Sequence, residues 1–280
     1  MTEQDSAIKA VESGESKAML LAHQPVRYLL RAMLAGLYLS LVVMVFWSLQ
    51  QGLSTSPFGK VIASAFFGVG LSVIVFTQSE LFTSNCFYLA ISSLAHRTTW
   101  KQACCVWSAS WFGNLAGAIA LGVLLQQAGV LAALPADHSL YVGALHKVHQ
   151  SAGALFWKGV LANWIVCLAV WMALRLKEEM AKITSMILVV FTFLYLGFEH
   201  SIANMGTFVF SLLGQGALTS AEAGRNLLFS TLGNLVGGAV LVGGVYGVLG
   251  RVRAADADSS KSHPLAHCPR PSAMLNAPAE

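Results

Sequence analysis

Six long apolar stretches, almost free of charged residues, constrain the fold of this chain more than any other feature. They cover roughly residues 32–50, 61–95, 103–125, 152–174, 183–213 and 226–249. The charged side chains inside them are Glu80, Lys158 and Glu199. A helix needs about 20 apolar residues to cross a bilayer, so the pattern predicts an all-α membrane protein with six transmembrane helices. The second and fifth stretches, roughly 35 and 31 residues long, exceed one straight helix.

The composition excludes most other classes of protein. Hydrophobic residues make up 56% of the 280 residues and charged residues only 11%, with a mean hydropathy of +0.64. Soluble domains carry about 25% charged residues, so a disordered chain, a coiled coil and an ordinary soluble enzyme are excluded. A net charge of only +4 gives no indication of nucleic-acid binding. The five cysteines lack the spacing of a metal site or a disulfide framework, and no metal or cofactor is expected.

Lysine and arginine residues are distributed unevenly over the connections between these stretches. Thirteen fall on the N-terminal segment, on the connections after the second and fourth stretches, and on the C-terminal tail. The three opposite connections hold one each, namely Lys60, Lys147 and Arg225. Because the more positive side of a membrane protein is usually the cytoplasmic one, both termini are predicted to be cytoplasmic.

This pattern divides the chain into three segments. Residues 1–31 are polar, with no apolar core before a cleavage site, and are predicted to be a cytoplasmic N-terminal segment rather than a signal peptide. Residues 32–250 form the predicted six-span transmembrane domain. Residues 251–280 are rich in Pro, Ala and Ser and are predicted to be a disordered cytoplasmic tail. Two histidines and Cys268 in this tail either bind a metal or stay solvated, and the lack of a preorganising fold favours the second interpretation.

Two motifs occur once in each half of the chain. Glu80-Leu-Phe-Thr-Ser-Asn85 in the second stretch corresponds to Glu199-His-Ser-Ile-Ala-Asn204 in the fifth. About thirty residues later, Gly113-Asn-Leu-Ala-Gly117 corresponds to Gly233-Asn-Leu-Val-Gly237, and these small residues predict close helix packing. The double match indicates a duplication, and three helices per half require the halves to lie inverted in the membrane. Inverted repeats with helices broken near the midplane are typical of transporters, so the second and fifth helices are predicted to break at the Glu-x-x-x-x-Asn motifs.

The polar residues at the predicted breaks each have a functional and a structural interpretation. His200, in the middle of the fifth stretch, either gives a proton or hydrogen bond to a passing anion or holds the broken backbone as a neutral side chain. Glu80 and Glu199 are predicted to be structural and to accept backbone N–H bonds, because an unpaired carboxylate in a dry site is costly. Asn85 and Asn204 are also predicted to be structural, with coordination of a small anion as the alternative for Asn85.

Other residues near the breaks also leave alternatives open. Thr83 and Ser84 either coordinate a small anion or cap freed backbone N–H groups. Lys158 extends outward, pairs with a glutamate or contacts the substrate. Lys147 concentrates anions if it stands at a pore mouth. Three apolar side chains on the segments that lead to the breaks either constrict a pore or simply pack: Phe67, Leu71 and Phe193.

At these motifs the chain resembles the formate/nitrite transporter family. Gly197-Phe-Glu-His-Ser-Ile-Ala-Asn-Met205 is similar to the family's motif in its fifth span, and Ser79-Glu-Leu-Phe-Thr83 to the motif in its second. Similar blocks at residues 31–36, 158–168 and 226–234 extend the resemblance over about residues 25–250. The last two blocks most resemble the bacterial nitrite channels.

The resemblance implies an aquaporin-like fold with six spans per protomer and a homopentamer with one pore in each protomer. It implies transport of nitrite, formate, lactate or hydrosulfide across a bacterial inner membrane, and no enzymatic activity. By motif position, the substrate pathway would contain His200, Thr83, Asn163 and Lys147. The apolar constrictions would be formed by Phe67, Leu71, Leu81, Phe82 and Phe193.

The resemblance also suggests a mechanism. Lys147 would attract the anion to the outer mouth, and the constrictions would penalise a bare charge. His200, oriented by Thr83, would share or give a proton, so that a nearly neutral species crosses the dry zone. The chain departs from the family at residues 77–78 and at Ser84, where family members often carry Ala-Gly and Gly, so the loop around Thr83 is expected to be less flexible.

Three alternatives stay open at this point. The first is a formate, lactate or hydrosulfide channel of the same family instead of a nitrite channel. The second is a water or glycerol channel, which would carry Asn-Pro-Ala at both breaks, where this chain has Thr-Ser-Asn-Cys and Ile-Ala-Asn-Met. The third is a membrane redox enzyme, but a haem would need axial histidines within the apolar stretches, and His200 alone qualifies.

Overall fold

The computed structural model describes residues 2–250, and each regular element in this range is a helix. The predicted tail at residues 251–280, with its candidate metal ligands, lies outside the described residues. In chain order the elements are α1 (Glu3–His23), α2 (Pro25–Gly52), α3 (Gly59–Phe67), α4 (Val69–Phe76), α5 (Phe82–Leu94), α6 (Trp100–Gln127), α7 (Ser139–Val148), α8 (Ala152–Arg175), α9 (Glu179–Tyr195), α10 (Ser201–Leu213), α11 (Ser220–Val236), a π-helix (Gly237–Gly244) and α12 (Val245–Leu249).

The apolar helices agree with the prediction of an all-α membrane protein. Between residues 2 and 250, five helical segments are long and apolar enough to cross a membrane: Pro25–Gly52, Gly59–Phe76, Trp100–Gln127, Ala152–Arg175 and Ser220–Leu249. The helix α10 is apolar but shorter. The outward faces expose large apolar side chains such as Phe112, Trp157 and Leu228, as expected of a surface in contact with lipid.

Within the second and fifth apolar stretches, the helix ends and then starts again. Residues 77–81 separate α4 from α5, and residues 196–200 separate α9 from α10. Each connection contains one residue in the left-handed backbone conformation, Gln78 with φ of 54° and Gly197 with φ of 71°. This conformation suits glycine and is uncommon for glutamine. The backbone therefore changes direction at equivalent positions of the two halves.

Two helices, α1 and α7, are absent from the sequence-based prediction. The first begins with a capping box between Thr2 and Asp5 inside the segment predicted only as polar. It packs small residues such as Ala10 and Gly14 against the bundle, and a Cβ at Gly14 would clash with the carbonyl oxygen of Tyr88 on α5. The N-terminal segment is thus a packed part of the fold, and α7 packs against α10 and α11 in the second half.

The small residues of the repeated Gly-Asn motifs bring two helix pairs into close contact. On α6, a Cβ at Gly117 would clash with the carbonyl oxygen of Met33 on α2. At Gly237, the first residue of the π-helix, a Cβ would clash with the carbonyl oxygen of Val160 on α8. The predicted close packing at these glycines is confirmed, and it sets the spacing of the helices around the two connections.

Candidate functional site

Two cavities open at opposite ends of the helical bundle. The Glu199 cavity has a volume of about 680 Å³, and its lining includes Gln51, Lys147 and Glu199. The Glu80 cavity has a volume of about 470 Å³, and its lining includes Arg31 and Glu80. Arg31 and Gln51 lie twenty residues apart on the continuous helix α2, which corresponds to about 30 Å at 1.5 Å per residue. The two cavities therefore reach into the protein from opposite sides.

A buried ion pair, Lys147 and Glu199, lies in the lining of the Glu199 cavity. The Lys147 ammonium lies 3.0 Å from one oxygen of Glu199, whose side chain is 1% exposed. The amide groups of Gln150 and Asn204 also donate to this carboxylate, at 2.7 and 2.6 Å. Gln150 in turn accepts a hydrogen bond from Lys158 at 2.6 Å. Lys147 thus pairs directly with this carboxylate, and Lys158 is linked to it through Gln150.

The Glu80 cavity contains a matching ion pair. The Lys17 ammonium on α1 lies 2.7 Å from the Glu80 carboxylate, and Asn85 donates to the same oxygen at 3.1 Å. Lys17 was not recognised from the sequence, because the N-terminal segment gives no sign that it folds against the bundle.

The described donors to both carboxylates are side chains, not the backbone N–H groups that the sequence suggested. The physical reason is that N–H groups freed at the helix starts have other acceptors. The Phe82 N–H donates to Asn114, and the Ser201 N–H donates to Asn234.

Two buried asparagines hold the backbone of the connections. The Asn114 amide donates to the carbonyls of Ala32 and Glu80, at 2.8 and 2.9 Å, and its oxygen accepts from the Phe82 N–H at 3.0 Å. Asn234 makes the same three contacts in the second half, with Gly159, Glu199 and Ser201. Backbone groups freed from the helix are thereby satisfied without water, as a membrane interior requires.

Thr83 and His200 meet at the centre of the protein. The Thr83 hydroxyl lies 3.0 Å from Nε2 of His200, and both residues are buried. The other ring nitrogen, Nδ1, accepts the backbone N–H of Ala203 and caps α10. A neutral imidazole has one donor and one acceptor nitrogen, so the neutral ring carries its proton on Nε2 and donates it to Thr83.

A small cavity of about 30 Å³ lies beside this pair and continues the Glu199 cavity inward. Its lining includes His200 and Phe67 together with Phe46 and Lys147, which also line the Glu199 cavity. On the other side, Ser84, the residue after Thr83, lines the Glu80 cavity. The Thr83–His200 contact therefore lies between the two cavities.

Aromatic rings surround His200 on the side of the Glu199 cavity. Phe193 stacks on the imidazole with ring centroids 5.7 Å apart. Phe67 packs edge-on against Phe193 at 6.0 Å, and Phe46 edge-on against Phe67 at the same distance. Phe67 and Phe193 thus lie together at the approach to His200, where the sequence placed a constriction.

The other apolar residues assigned to constrictions lie elsewhere. Leu71 and Leu81 are buried in the main hydrophobic core. Phe82 is buried too, but it contributes to a separate cavity of about 300 Å³ that also contains Trp107 and Trp111. Among these five residues, the structure brings only Phe67 and Phe193 to the small cavity beside His200.

Asn163, placed in the substrate pathway from the sequence, contacts the backbone. Its amide nitrogen donates to the carbonyls of Thr83 and Asn234, at 3.1 and 2.6 Å. Both amide hydrogens are therefore used within the protein. Cys167, one helical turn further along α8, also donates to the Thr83 carbonyl, at 3.3 Å.

Three contributors to this site were missed from the sequence, and each for a different reason. Lys17 lies far from Glu80 in sequence, Gln150 has no distinguishing motif, and Cys167 belongs to an apolar stretch in which a cysteine is usually a small packing residue. Within residues 2–250, no group of three histidine, cysteine or acidic side chains is arranged to hold a metal ion.

Comparison with known proteins identifies relatives along nearly the whole chain. A family model described as formate/nitrite transporter matches residues 4–248. The uncharacterized transporter YwcJ of Bacillus subtilis is 38% identical over 237 residues, covering 82% of this chain and 91% of YwcJ. The nitrite transporter NirC of Escherichia coli is 36% identical, covering 85% of this chain and 89% of NirC. The formate channel FocA of E. coli is 32% identical, covering 86% of this chain and 91% of FocA.

Solved structures give the same result. An FNT family ion channel superposes with a TM-score of 0.84 and 31% identity, covering 88% of this chain and 98% of that protein. A pentameric formate channel with formate bound superposes with a TM-score of 0.69 and 29% identity, covering 80% and 96%. Both agree with the all-helical arrangement described above.

Proposed function

Because this chain belongs to the formate/nitrite transporter family, we propose that it carries small monovalent anions across the bacterial cytoplasmic membrane, with nitrite as the preferred anion. The family consists of membrane transporters and channels, not enzymes. The observation that carries the proposal is the buried Thr83–His200 contact, which lies between cavities that enter from opposite ends of the bundle.

The proposed pathway begins in the Glu199 cavity. Lys60 and Lys147 line this cavity together with Asp137 and Glu199, so an anion that enters can contact two lysines, and Lys147 also lines the small cavity beside His200. Phe67 and Phe193 then exclude water, and an anion stripped of water is disfavoured by several kcal/mol or more. The anion therefore passes this point only if it gains a proton or a strong hydrogen bond.

His200 supplies that hydrogen bond from Nε2. To give a proton outright, the ring first takes a second proton from solvent on Nδ1, which displaces the Ala203 N–H, and it returns to the neutral form when Nε2 passes its proton to the anion. In the neutral ring the proton is on Nε2, held by the Thr83 hydroxyl, and an arriving anion replaces this hydroxyl as the acceptor. The nearly neutral species then moves to the Glu80 cavity, where Lys17 and Arg31 provide the next positive charges. Asn163 forms the wall beside the pair, because its amide hydrogens are bound to backbone carbonyls.

The proposed architecture has six spans in two inverted halves. The helices α3, α4 and α5 form the second span, broken at residues 77–81, and α9 and α10 form the fifth, broken at residues 196–200. The matched contacts of Asn114 and Asn234, and of the two lysine–glutamate pairs, support an inverted repeat. Both termini face the cytoplasm, with residues 1–31 and 251–280 on that side.

Assembly into a homopentamer, with one pore in each protomer, is part of the proposal. Its support is the superposition on a protein described as a pentameric formate channel and the large apolar side chains exposed on the outer helix faces. Chemical crosslinking of the purified protein in detergent is expected to give species up to five chains, and a ladder that ends at two or three chains would contradict it.

Nitrite is placed ahead of formate because residues 158–168 and 226–234 resemble the bacterial nitrite channels. Overall identity does not separate the two anions, since NirC at 36% and FocA at 32% are similarly related to this chain. The test is anion flux into proteoliposomes, with nitrite and formate compared side by side at two pH values. A clear preference for nitrite is expected. Equal flux, or a preference for formate, would contradict the nitrite assignment and keep the family, and no flux of either would direct the test to lactate and hydrosulfide.

A further inference from the structure

The carbonyl oxygen of Thr83 receives side-chain hydrogen bonds from two residues of α8. The Asn163 amide donates at 3.1 Å and the Cys167 thiol at 3.3 Å. The same thiol lies 3.4 Å from Oδ1 of Asn163, so its single hydrogen has two acceptors, and both belong to the group that holds Thr83. Both residues are fully buried, one helical turn apart on the same face. A buried thiol in an apolar helix is usually a packing residue, but this one has a polar partner in the first turn of α5.

The glycine-rich π-helix packs closely against the same two side chains. A Cβ at Gly238 would lie 2.5 Å from Nδ2 of Asn163 and 3.1 Å from Sγ of Cys167. The absence of a side chain at this position leaves the space in which both groups reach Thr83. Short π-helical segments occur frequently at functional sites. Here the segment packs against Asn163 and Cys167, which contact Thr83, and Thr83 contacts His200.

We propose that Cys167 is a positioning residue for the Thr83–His200 pair, acting with Asn163 through the Thr83 carbonyl. The inference rests on the proposed function and deepens it. The thiol and the Asn163 amide fix the first turn of α5, and this turn carries the Thr83 hydroxyl to within 3.0 Å of His200. Cys167 contacts the carbonyl of Thr83 and not the hydroxyl that faces His200, so in this proposal it acts through Thr83 and does not contact the anion.

The chain supplies a matched control for this proposal. Cys86 on α5 is also 0% exposed, and its Cβ lies 2.8 Å from the Cβ position of Gly238. The hydrogen bonds of residues 2–250 include none from the Cys86 thiol to Thr83. Cys86→Ala therefore removes a buried thiol of equal size beside the same π-helix without touching the Thr83 carbonyl.

The experiment compares Cys167→Ala, Cys167→Ser and Cys86→Ala in proteoliposome flux over a series of pH values. Loss of one weak hydrogen bond is expected to lower the flux about two- to tenfold in Cys167→Ala. The pH midpoint of the flux is expected to shift as well, because the partner of Nε2 moves. The charged groups near His200, Lys147 and Glu199, are unchanged in all three variants. Cys167→Ser keeps a hydrogen-bond donor, so its flux and its pH midpoint are expected to be close to those of the unmodified chain. Cys86→Ala is expected to give the same result.

A second readout does not depend on transport. The S–H stretching band in the infrared spectrum of the unmodified protein is expected to contain a component at lower frequency, from the hydrogen-bonded thiol. This component should disappear in Cys167→Ala and persist in Cys86→Ala. Its absence from the unmodified protein, or identical flux and pH midpoint in Cys167→Ala and Cys86→Ala, overturns the inference. An unmodified chain that transports no anion contradicts the proposed function instead, and the infrared band still tests the contact.

Discussion

At the scale of single residues, the first prediction concerns His200. Asparagine at position 200 keeps a side-chain oxygen that can cap α10 and an amide that can donate to Thr83, but it cannot titrate. His200→Asn is therefore expected to leave a folded protein with residual flux whose dependence on pH is lost. The measurement is nitrite flux into proteoliposomes over a series of pH values.

His138 offers a control of the same kind. Its ring accepts the N–H of Leu140 and caps α7, as the ring of His200 caps α10, and the side chain is buried. Burial lowers the pKa of His138, opposed by the charge of Asp137, so this ring stays neutral around neutral pH. His138→Asn should therefore keep the pH dependence. A pH-dependent flux that survives in His200→Asn would show that the proton comes from elsewhere.

The two lysine–glutamate pairs carry the second residue-scale prediction. Lys147→Met leaves the Glu199 carboxylate, 1% exposed, with only amide partners. Removing one partner of a buried ion pair leaves the other charge buried without compensation, which lowers the stability of the protein. This loss of stability is smaller here because Lys147 is 19% exposed. We expect a loss of roughly 1–3 kcal/mol in unfolding free energy, measured by thermal unfolding in detergent.

A double variant separates this effect from general damage. In Lys147→Met with Glu199→Gln, no buried charge is left unpaired, so most of the stability should return. Lys17→Met is expected to cost a similar amount, because Lys17 and Glu80 form the corresponding pair in the first half. If the double variant is less stable than Lys147→Met, the buried charge is not the cause of the loss.

At the scale of helices, the two connections between them lead to a prediction about the backbone. Gly197 and Gln78 occupy equivalent positions, 119 residues apart, and both have positive φ values. A side chain in this conformation costs roughly 1 kcal/mol relative to glycine. Gly197→Ala should therefore lower the thermal midpoint, whereas Gln78→Gly should leave it unchanged or raise it.

These two variants also test flexibility of the loop around Thr83. Gln78→Gly restores the residue type that family members often carry at this place and frees the backbone next to the Glu80 cavity. Gly153→Ala, in the first turn of α8 with open space around its Cβ position, is the control for an ordinary glycine. A large destabilisation by Gln78→Gly would show that the glutamine side chain has a role of its own.

The helices also show how far the sequence carries a prediction. The long apolar stretches and the Glu-x-x-x-x-Asn motifs were sufficient to locate the long apolar helices and the connection within each of the ranges 61–95 and 183–213, because hydrophobic length and motif spacing are local properties. The helices α1 and α7 were missed. The partners of Glu80 and Glu199 were not predictable, because Lys17 and Lys147 stand on amphipathic helices whose packing is decided by tertiary contacts. The contacts of Asn163 and Cys167 with the Thr83 carbonyl were likewise not predictable, because they depend on how α8 packs against α5.

At the scale of the whole molecule, the two ends of the bundle differ in charge, and this difference decides the orientation. The predicted cytoplasmic connections and tails carry thirteen lysines and arginines against three on the opposite side, a bias that retains a segment on the cytoplasmic side. The Glu80 cavity, with Lys9, Lys17 and Arg31, lies at the more positive end. The Glu199 cavity should therefore face the periplasm.

Cysteine labelling measures this orientation directly. In a background without Cys268 of the tail and without the exposed Cys104 and Cys105, Thr55→Cys places a thiol in the exposed connection between α2 and α3. Glu178→Cys places one at the exposed start of α9. A membrane-impermeant maleimide should label Thr55→Cys in intact spheroplasts and Glu178→Cys only after the membrane is permeabilised. The reverse pattern would place Lys147 on the cytoplasmic side and turn the proposed entry of the anion around. Labelling of both variants in intact spheroplasts would mean that the two sites share the outer side, which contradicts the six-span topology itself.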